Sequence, residues 1–238
     1  MNDAVTFLAE IPSPQQGVWH LGPIPLRGYA LCILVGIVAA CAITEVRMRR
    51  RGAPPWVVLD IAVWAVPFGI VGARIYHVIT SPDDYFGANG HPLKALEIWN
   101  GGLGIWGAVA GGAIGAWIAC RLQKIPLTFV ADCLAPGLPV AQGIGRIGNW
   151  FNNELYGGST NLPWGLRIYR YNLGAGHAEM DPATGEPRVM PGSPFHPTFL
   201  YELIWDLGVA LLVVLVDRRV KFGKGRAFAL YVMAYTVG

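Results

Sequence analysis

The chain has 238 residues, a formal net charge of +3, 53% hydrophobic residues and only 14% charged ones, with mean hydropathy +0.42. Soluble domains carry about 25% charged residues, so this composition cannot clothe a water-facing surface. It excludes a disordered chain, a fibrous protein and a disulfide scaffold, and points to an all-α polytopic membrane protein. The four cysteines, Cys32, Cys41, Cys120 and Cys133, lie inside apolar runs without CxxC spacing and read as small buried hydrophobes. A charge of +3 gives no argument for a nucleic-acid partner.

A helix needs about 20 mainly apolar residues to cross the hydrocarbon. Six stretches approach that length: 28–46, 56–80, 103–120, 127–151, 198–216 and 226–238. The fourth is interrupted by Asp132, Pro136, Gly137 and Pro139, which predicts a broken helix. The sixth is cut short at Gly238. Residues 1–27 precede the spans as an outer interfacial arm. Segment 152–197, rich in Gly, Pro and Asn, is too long for a simple connection and predicts a small extracytoplasmic head between spans four and five. Spans one to four then occupy 28–151, and span five with the start of span six occupies 198–238.

Orientation follows from the positive charge. With the N-terminus outside, the inner loops collect Arg47, Arg49, Arg50, Arg51, Arg121, Lys124, Arg218, Arg219, Lys221, Lys224 and Arg226, 11 of the 18 Lys and Arg residues. Trp56 and Trp99 fall near span ends, as belt aromatics do.

Helical rise places Arg74 about 26 Å and Arg146 about 28 Å above the inner ends of their spans, near the outer headgroups. Arg27 and Tyr29 open the first span from that side, and His196, Tyr201 and Glu202 open the fifth. Each arginine can either snorkel to lipid phosphates or face a polar cavity. For Arg146 the neighbours favour the cavity. If 145–154 is helical, Arg146, Asn149, Asn153 and Glu154 share one face. A guanidinium binds phosphate bidentately and amides can complete the cage. Gly143, Gly145 and Gly148 allow close approach.

Other signals read as packing. Gly107, Gly111 and Gly115 form a small-residue face at every fourth position. Asp132 sits deep and is expected to pair with a neighbouring helix, the one deep polar group in this reading. The five histidines show no metal-ligand spacing. His77, one turn from Arg74, can be a pocket residue or a satisfied interfacial histidine.

The run Gly145-Arg146-Ile147-Gly148-Asn149-Trp150-Phe151-Asn152-Asn153-Glu154-Leu155-Tyr156-Gly157 closely resembles the signature of the prolipoprotein diacylglyceryl transferases, which usually have Phe where Trp150 stands. The resemblance extends to Arg27-Gly28-Tyr29, Gly72-Ala73-Arg74, Trp99-Asn100-Gly101-Gly102, His196-Pro197-Thr198 and Leu200-Tyr201-Glu202. It implies a bacterial inner-membrane enzyme with seven transmembrane helices and an extracytoplasmic active site. Such an enzyme moves the diacylglyceryl group of phosphatidylglycerol onto the lipobox cysteine of a prolipoprotein signal peptide, forming a thioether and releasing glycerol phosphate. No cofactor or metal is implied; the partners are the two substrates and the bilayer.

By motif position, Tyr29, Arg146, Asn149, Glu154 and Gly157 carry over as functional residues. Arg146 is expected to hold the phosphate with Arg74 as a second contact, Asn149 and Asn153 to line the headgroup site, and Glu154 to hold Arg146. Tyr29, His77 and His196 are the candidates for proton transfer. Two departures stand out. The family often has a histidine, proposed as the base, where this chain has Trp106; and the family's later arginine segment and last helix would lie beyond Gly238, so the chain reads as truncated. The rival readings are an anionic-lipid transporter or flippase and a non-catalytic lipid-binding scaffold.

Overall fold

The structure is a computed structural model that describes residues 10–22, 24–87, 90–98 and 101–238, without the side chain of Ile24. Trp99 and Asn100 lie outside the described residues. Contacts divide the chain into two compact units, Met1–Ala42 with Leu134–Lys221 and Ala227–Gly238, and Ile43–Cys133 with Phe222–Arg226.

Three short strands come first among the described residues: β1 (Ile11–Pro12), β2 (Val18–Leu21) and β3 (Ile24–Arg27). They lead into α1 (Gly28–Arg50), whose last turn carries Arg47, Arg49 and Arg50 where cations suit the negative helix end. Next come α2 (Val57–Thr80), the short α3 (Asp83–Phe86), a 3-10 turn at Pro92–Leu96, and α4 (Ile105–Leu122). A broken pair follows, α5 (Leu127–Leu134) and α6 (Gly137–Phe151), bent by 50° at the break. Strands β4 (Leu166–Arg167), β5 (Tyr171–Asn172) and β6 (His177–Ala178) precede α7 (Thr198–Val220) and α8 (Arg226–Tyr235).

Among the described residues, α1, α2, α4 and α7 are long and apolar enough to cross a membrane, and the bent pair makes a fifth span if taken as one. The break falls at Pro136, where proline cannot supply the helix donor. The expected six spans are therefore four or five here, because the sixth stretch forms only the ten-residue α8. Large apolar side chains such as Val38, Val63 and Leu211 stand more than half exposed along these helices. Hydrocarbon around them suits such a surface; water does not. This is a polytopic membrane protein.

In the unit formed by 43–133 and 222–226, α2 packs closely on α4 through glycine. A Cβ at Gly111 would lie 3.0 Å from the Phe68 carbonyl carbon, and one at Gly115 would lie 2.5 Å from Trp64 O. Neither space admits a side chain, so the glycine face brings two backbones together. The other end of this unit is tied by polar groups. The Arg47 guanidinium donates to the carbonyls of Asp132 and Cys133, each at 3.0 Å, serving the orphan acceptors at the end of α5. The carboxylate of Asp132, fully buried, accepts the Gly225 N–H at 2.9 Å. The expected pairing of Asp132 is thus to the turn before α8.

In the other unit, α6 packs on α7, and residues 10–22 of the arm are hydrogen-bonded to segment 152–197. β1 runs parallel to β4, with Ile11 opposite Leu166, and β2 pairs antiparallel with β3. A small core of Leu166, Ile168 and Phe195 gathers Ile11, Trp150, Tyr156, Met190 and Phe199 around it. Burial of these apolar groups is what orders a segment otherwise rich in turns.

Candidate active site

Arg146 is the tenth of the fifteen residues of α6, and its Nε lies 2.5 Å from Glu202 Oε2 in the second turn of α7. One turn deeper on the same face of α7, Asp206 is fully buried and within electrostatic reach of both Arg146 and Glu202. Gly143 makes this approach feasible: a Cβ there would lie 3.3 Å from Asp206 Cβ and 3.0 Å from Leu203 Cδ1. Deeper still, the Tyr231 hydroxyl of α8 donates to Gln142 Oε1 at 2.9 Å. A ladder of polar groups thus runs along the α6–α7 contact inside an apolar chain. Asp206 corrects the expectation that Asp132 is the one deep polar group. Carboxylates at such depth are costly and stay where a cation or a function holds them.

The signature loop follows. α6 ends at Phe151, with Asn152 as its cap, and Asn153 takes a left-handed φ of 53°. The single helical face expected over 145–154 is therefore broken, and Asn153 and Glu154 leave the helix. Glu154 Oε1 accepts Nδ2–H groups from both Asn149 and Asn152 at 3.0 Å. The carboxylate paired with Arg146 is that of Glu202, and this corrects the expectation that Glu154 holds Arg146 directly. The Tyr29 ring, at the start of α1, covers Gly148, where a Cβ would lie 2.7 Å from Tyr29 Cδ2. Its hydroxyl lies within electrostatic reach of Arg146 and Glu154.

Asn153 is also reassigned. Buried at 6% exposure, its Nδ2 donates to Pro14 O at 2.9 Å and its Oδ1 accepts Tyr169 N–H at 3.1 Å. Both ends of the amide tie the arm to the segment carrying β4, so the side chain is not presented to a headgroup.

Gly157 and His196 lie together. A Cβ at Gly157 would approach His196 Cβ to 2.8 Å, and Gly157 N–H donates to His196 O at 3.0 Å. The His196 Nδ1 lies 3.1 Å from the Tyr201 hydroxyl, which accepts Trp164 Nε1–H at 3.1 Å. Nearby, Thr198 Oγ1 donates to Leu155 O.

Arg74 and His77 belong to the other unit. The Arg74 guanidinium, 8% exposed, donates through Nε to Ala95 O at 2.8 Å and through Nη1 to Gly101 O and Gly102 O at 2.7 and 3.0 Å. Its Nη2 serves Glu97 O at 3.2 Å and also Lys94 O. Every nitrogen is taken by loop carbonyls, which replaces the expected phosphate contact with a structural one. His77 Nδ1 lies 2.9 Å from the Tyr85 hydroxyl. Gly102 has φ +71°, and a Cβ there would meet His77 Cε1 at 3.1 Å. Trp106, in the first turn of α4, is 68% exposed; an indole N–H only donates, so it cannot accept a proton.

A family model for prolipoprotein diacylglyceryl transferase matches residues 16–238. The chain belongs to this family. It is 56% identical over 235 residues to the phosphatidylglycerol–prolipoprotein diacylglyceryl transferase of Mycobacteroides abscessus, covering 98% of this chain and 68% of that relative. It is 56% identical over 231 residues to transferase 2 of Streptomyces coelicolor, covering 97% and 69%. The transferase of the same name from Frankia alni is 57% identical over 231 residues, covering 97% of this chain and 57% of its own length. Family membership makes the chain a transferase of lipoprotein biosynthesis. The residues that the sequence reading missed are Glu202, quoted there without a role, and Asp206. Their signal was two carboxylates four apart in an apolar span.

Proposed function

We propose that this chain transfers the diacylglyceryl group of phosphatidylglycerol to the lipobox cysteine of a prolipoprotein, releasing glycerol phosphate. The observation that carries the reading is Arg146, a guanidinium set in an apolar helix pair and engaged at Nε, with its terminal amino groups left to grip a phosphate. The reaction displaces a phosphate monoester from an sp3 carbon. A fixed cation at the phosphate stabilises the charge that develops on the leaving oxygen. The same field favours the thiolate of the incoming cysteine over its thiol, whose ordinary pKa is about 8.5.

Asn149 orients the headgroup, and Glu154 holds Asn149 by the hydrogen bond at its Nδ2. Gly157, by leaving room for His196, shapes the edge of the same site. Tyr29 walls it along Gly148. The site faces the extracytoplasmic side of the bacterial inner membrane, with segment 152–197 as the head that presents the signal peptide and both lipid-anchored substrates entering sideways. The excess of Lys and Arg in the opposite loops supports that orientation.

The test incubates purified protein with phosphatidylglycerol vesicles and a lipobox peptide. A mass gain of one diacylglyceryl group on the cysteine is expected. Lipid movement between leaflets with an unmodified peptide would favour a flippase, and lipid binding with neither would favour a scaffold.

A further inference from the structure

Trp106 leaves the proton of the attacking thiol without an acceptor at the position where the family often has histidine, so the acceptor must be sought among the groups around Arg146. The phenol of Tyr29 keeps its own proton near neutrality. His196 turns Nδ1 to the Tyr201 hydroxyl, part of a chain running on to Trp164. Asp206 is closed off from any substrate. Glu202 differs from all three. Its side chain is 44% exposed, its Oε2 is on Arg146, and its Oε1 makes no hydrogen bond among the described residues.

Resting on the transfer reaction above, we propose that Glu202 is the catalytic proton acceptor for the cysteine nucleophile. A phosphate on the terminal amino groups of Arg146 and a carboxylate on its Nε share one planar cation, so the leaving group and the base are placed side by side. Asp206, one turn deeper, remains as counter-ion to Arg146 when Glu202 is protonated.

The step balances without a co-reactant. The thiol proton passes to Glu202 Oε1 as sulfur attacks the glyceryl carbon bonded to the phosphate oxygen. The C–S bond forms, the C–O bond breaks, and its electron pair leaves with the phosphate. That oxygen, now part of a monoester, takes the proton from Glu202, and glycerol phosphate departs with the carboxylate restored.

The test compares lipobox peptides carrying cysteine or selenocysteine, because a selenol is already ionised at neutral pH and needs no base. The full chain in phosphatidylglycerol vesicles is used as wild type, Glu202→Gln and Glu202→Asp. Glu202→Gln should slow transfer to the cysteine peptide about 100-fold or more, while transfer to the selenocysteine peptide stays near the wild-type rate. Glu202→Asp should recover part of the cysteine rate. Equal slowing of both peptides by Glu202→Gln would overturn the assignment and leave Glu202 as a prop for Arg146; no slowing would remove it altogether. A wild type that modifies neither peptide would overturn the proposed transfer itself, and this inference with it.

Discussion

The Arg74 guanidinium lies over the Tyr85 ring, 5.3 Å from its centroid, and hands its donors to the carbonyls of Lys94, Ala95, Glu97, Gly101 and Gly102. A cation held by a ring face and five carbonyls is an organiser of backbone. Arg74→Ala leaves those acceptors without a donor, at a cost of about 1–3 kcal/mol for each that stays dry. Lower thermal stability and faster amide exchange over 94–98 and 101–102 are expected. Arg74→Lys, with three donors in place of five, should fall between. Unchanged exchange in the alanine variant would show that the loop holds itself.

Arg146→Lys tests the phosphate grip. Lysine keeps the charge and loses the planar fork that can serve Glu202 and a phosphate together. Transfer to a cysteine peptide should drop by about tenfold or more, the loss of one charge-assisted hydrogen bond, with little change in thermal stability. A full rate in Arg146→Lys would end the bidentate reading.

Two glycine substitutions should separate close packing from mere composition. Gly111→Leu drives a side chain into the Phe68 backbone and should destabilise by about 1–3 kcal/mol or prevent folding. Gly145→Ala meets nothing within 4 Å and should leave stability unchanged or raise it by up to about 1 kcal/mol through helix propensity. Thermal unfolding in detergent reads both.

Most of the helical architecture could be read from the chain because membrane spans announce themselves by length and apolarity alone. The expected stretches starting at 28, 56, 103, 127 and 198 begin within two residues of the observed helices, and Pro136 marks the break. The site was only half legible. Arg146 and Asn149 stand out as polar residues in an apolar helix, but their partners come from elsewhere. Glu202 reaches Arg146 across a helix pair, and the acceptors of Arg74 lie in a loop some twenty to twenty-eight positions away. The helical face drawn through Asn153 and Glu154 failed because a left-handed residue at 153 turns the chain out of α6. Periodicity carries no warning of such a turn at a non-glycine residue.

Asp181 gives a pH dependence outside the spans. The Ala183 N–H donates to its carboxylate at 2.8 Å and holds the group below its ordinary value of 3.8, with Arg188 adding a little. A carboxyl lowered on folding supports the fold above its unfolded value and loses that support as pH falls through the folded one. The turn over 181–186 should therefore loosen below about pH 4, seen as faster exchange of the Ala183 amide relative to its intrinsic rate. Asp181→Asn should abolish that acid dependence; an identical acid response in the variant would assign it to another group.

Asn153→Ala should release the arm. Loss of the amide that bridges Pro14 O and Tyr169 N–H leaves β1 held by its short pairing with β4, the apolar contact of Ile11, the Trp150 Nε1–H bond to Pro12 O and the Glu10–Arg167 ion pair. Limited proteolysis within 13–22 should quicken severalfold, and an unchanged digestion pattern would assign the anchoring to those other contacts.

The parallel pairing of Ile11 with Leu166 also sets an order of events during synthesis. β1 leaves the ribosome before α1 through α6 and finds its mate only after all six of those helices have been made. Closure of that strand is thus a late step in biogenesis, and a bulky group fused near Ile11 would burden the finishing of the fold while sparing insertion of the earlier spans.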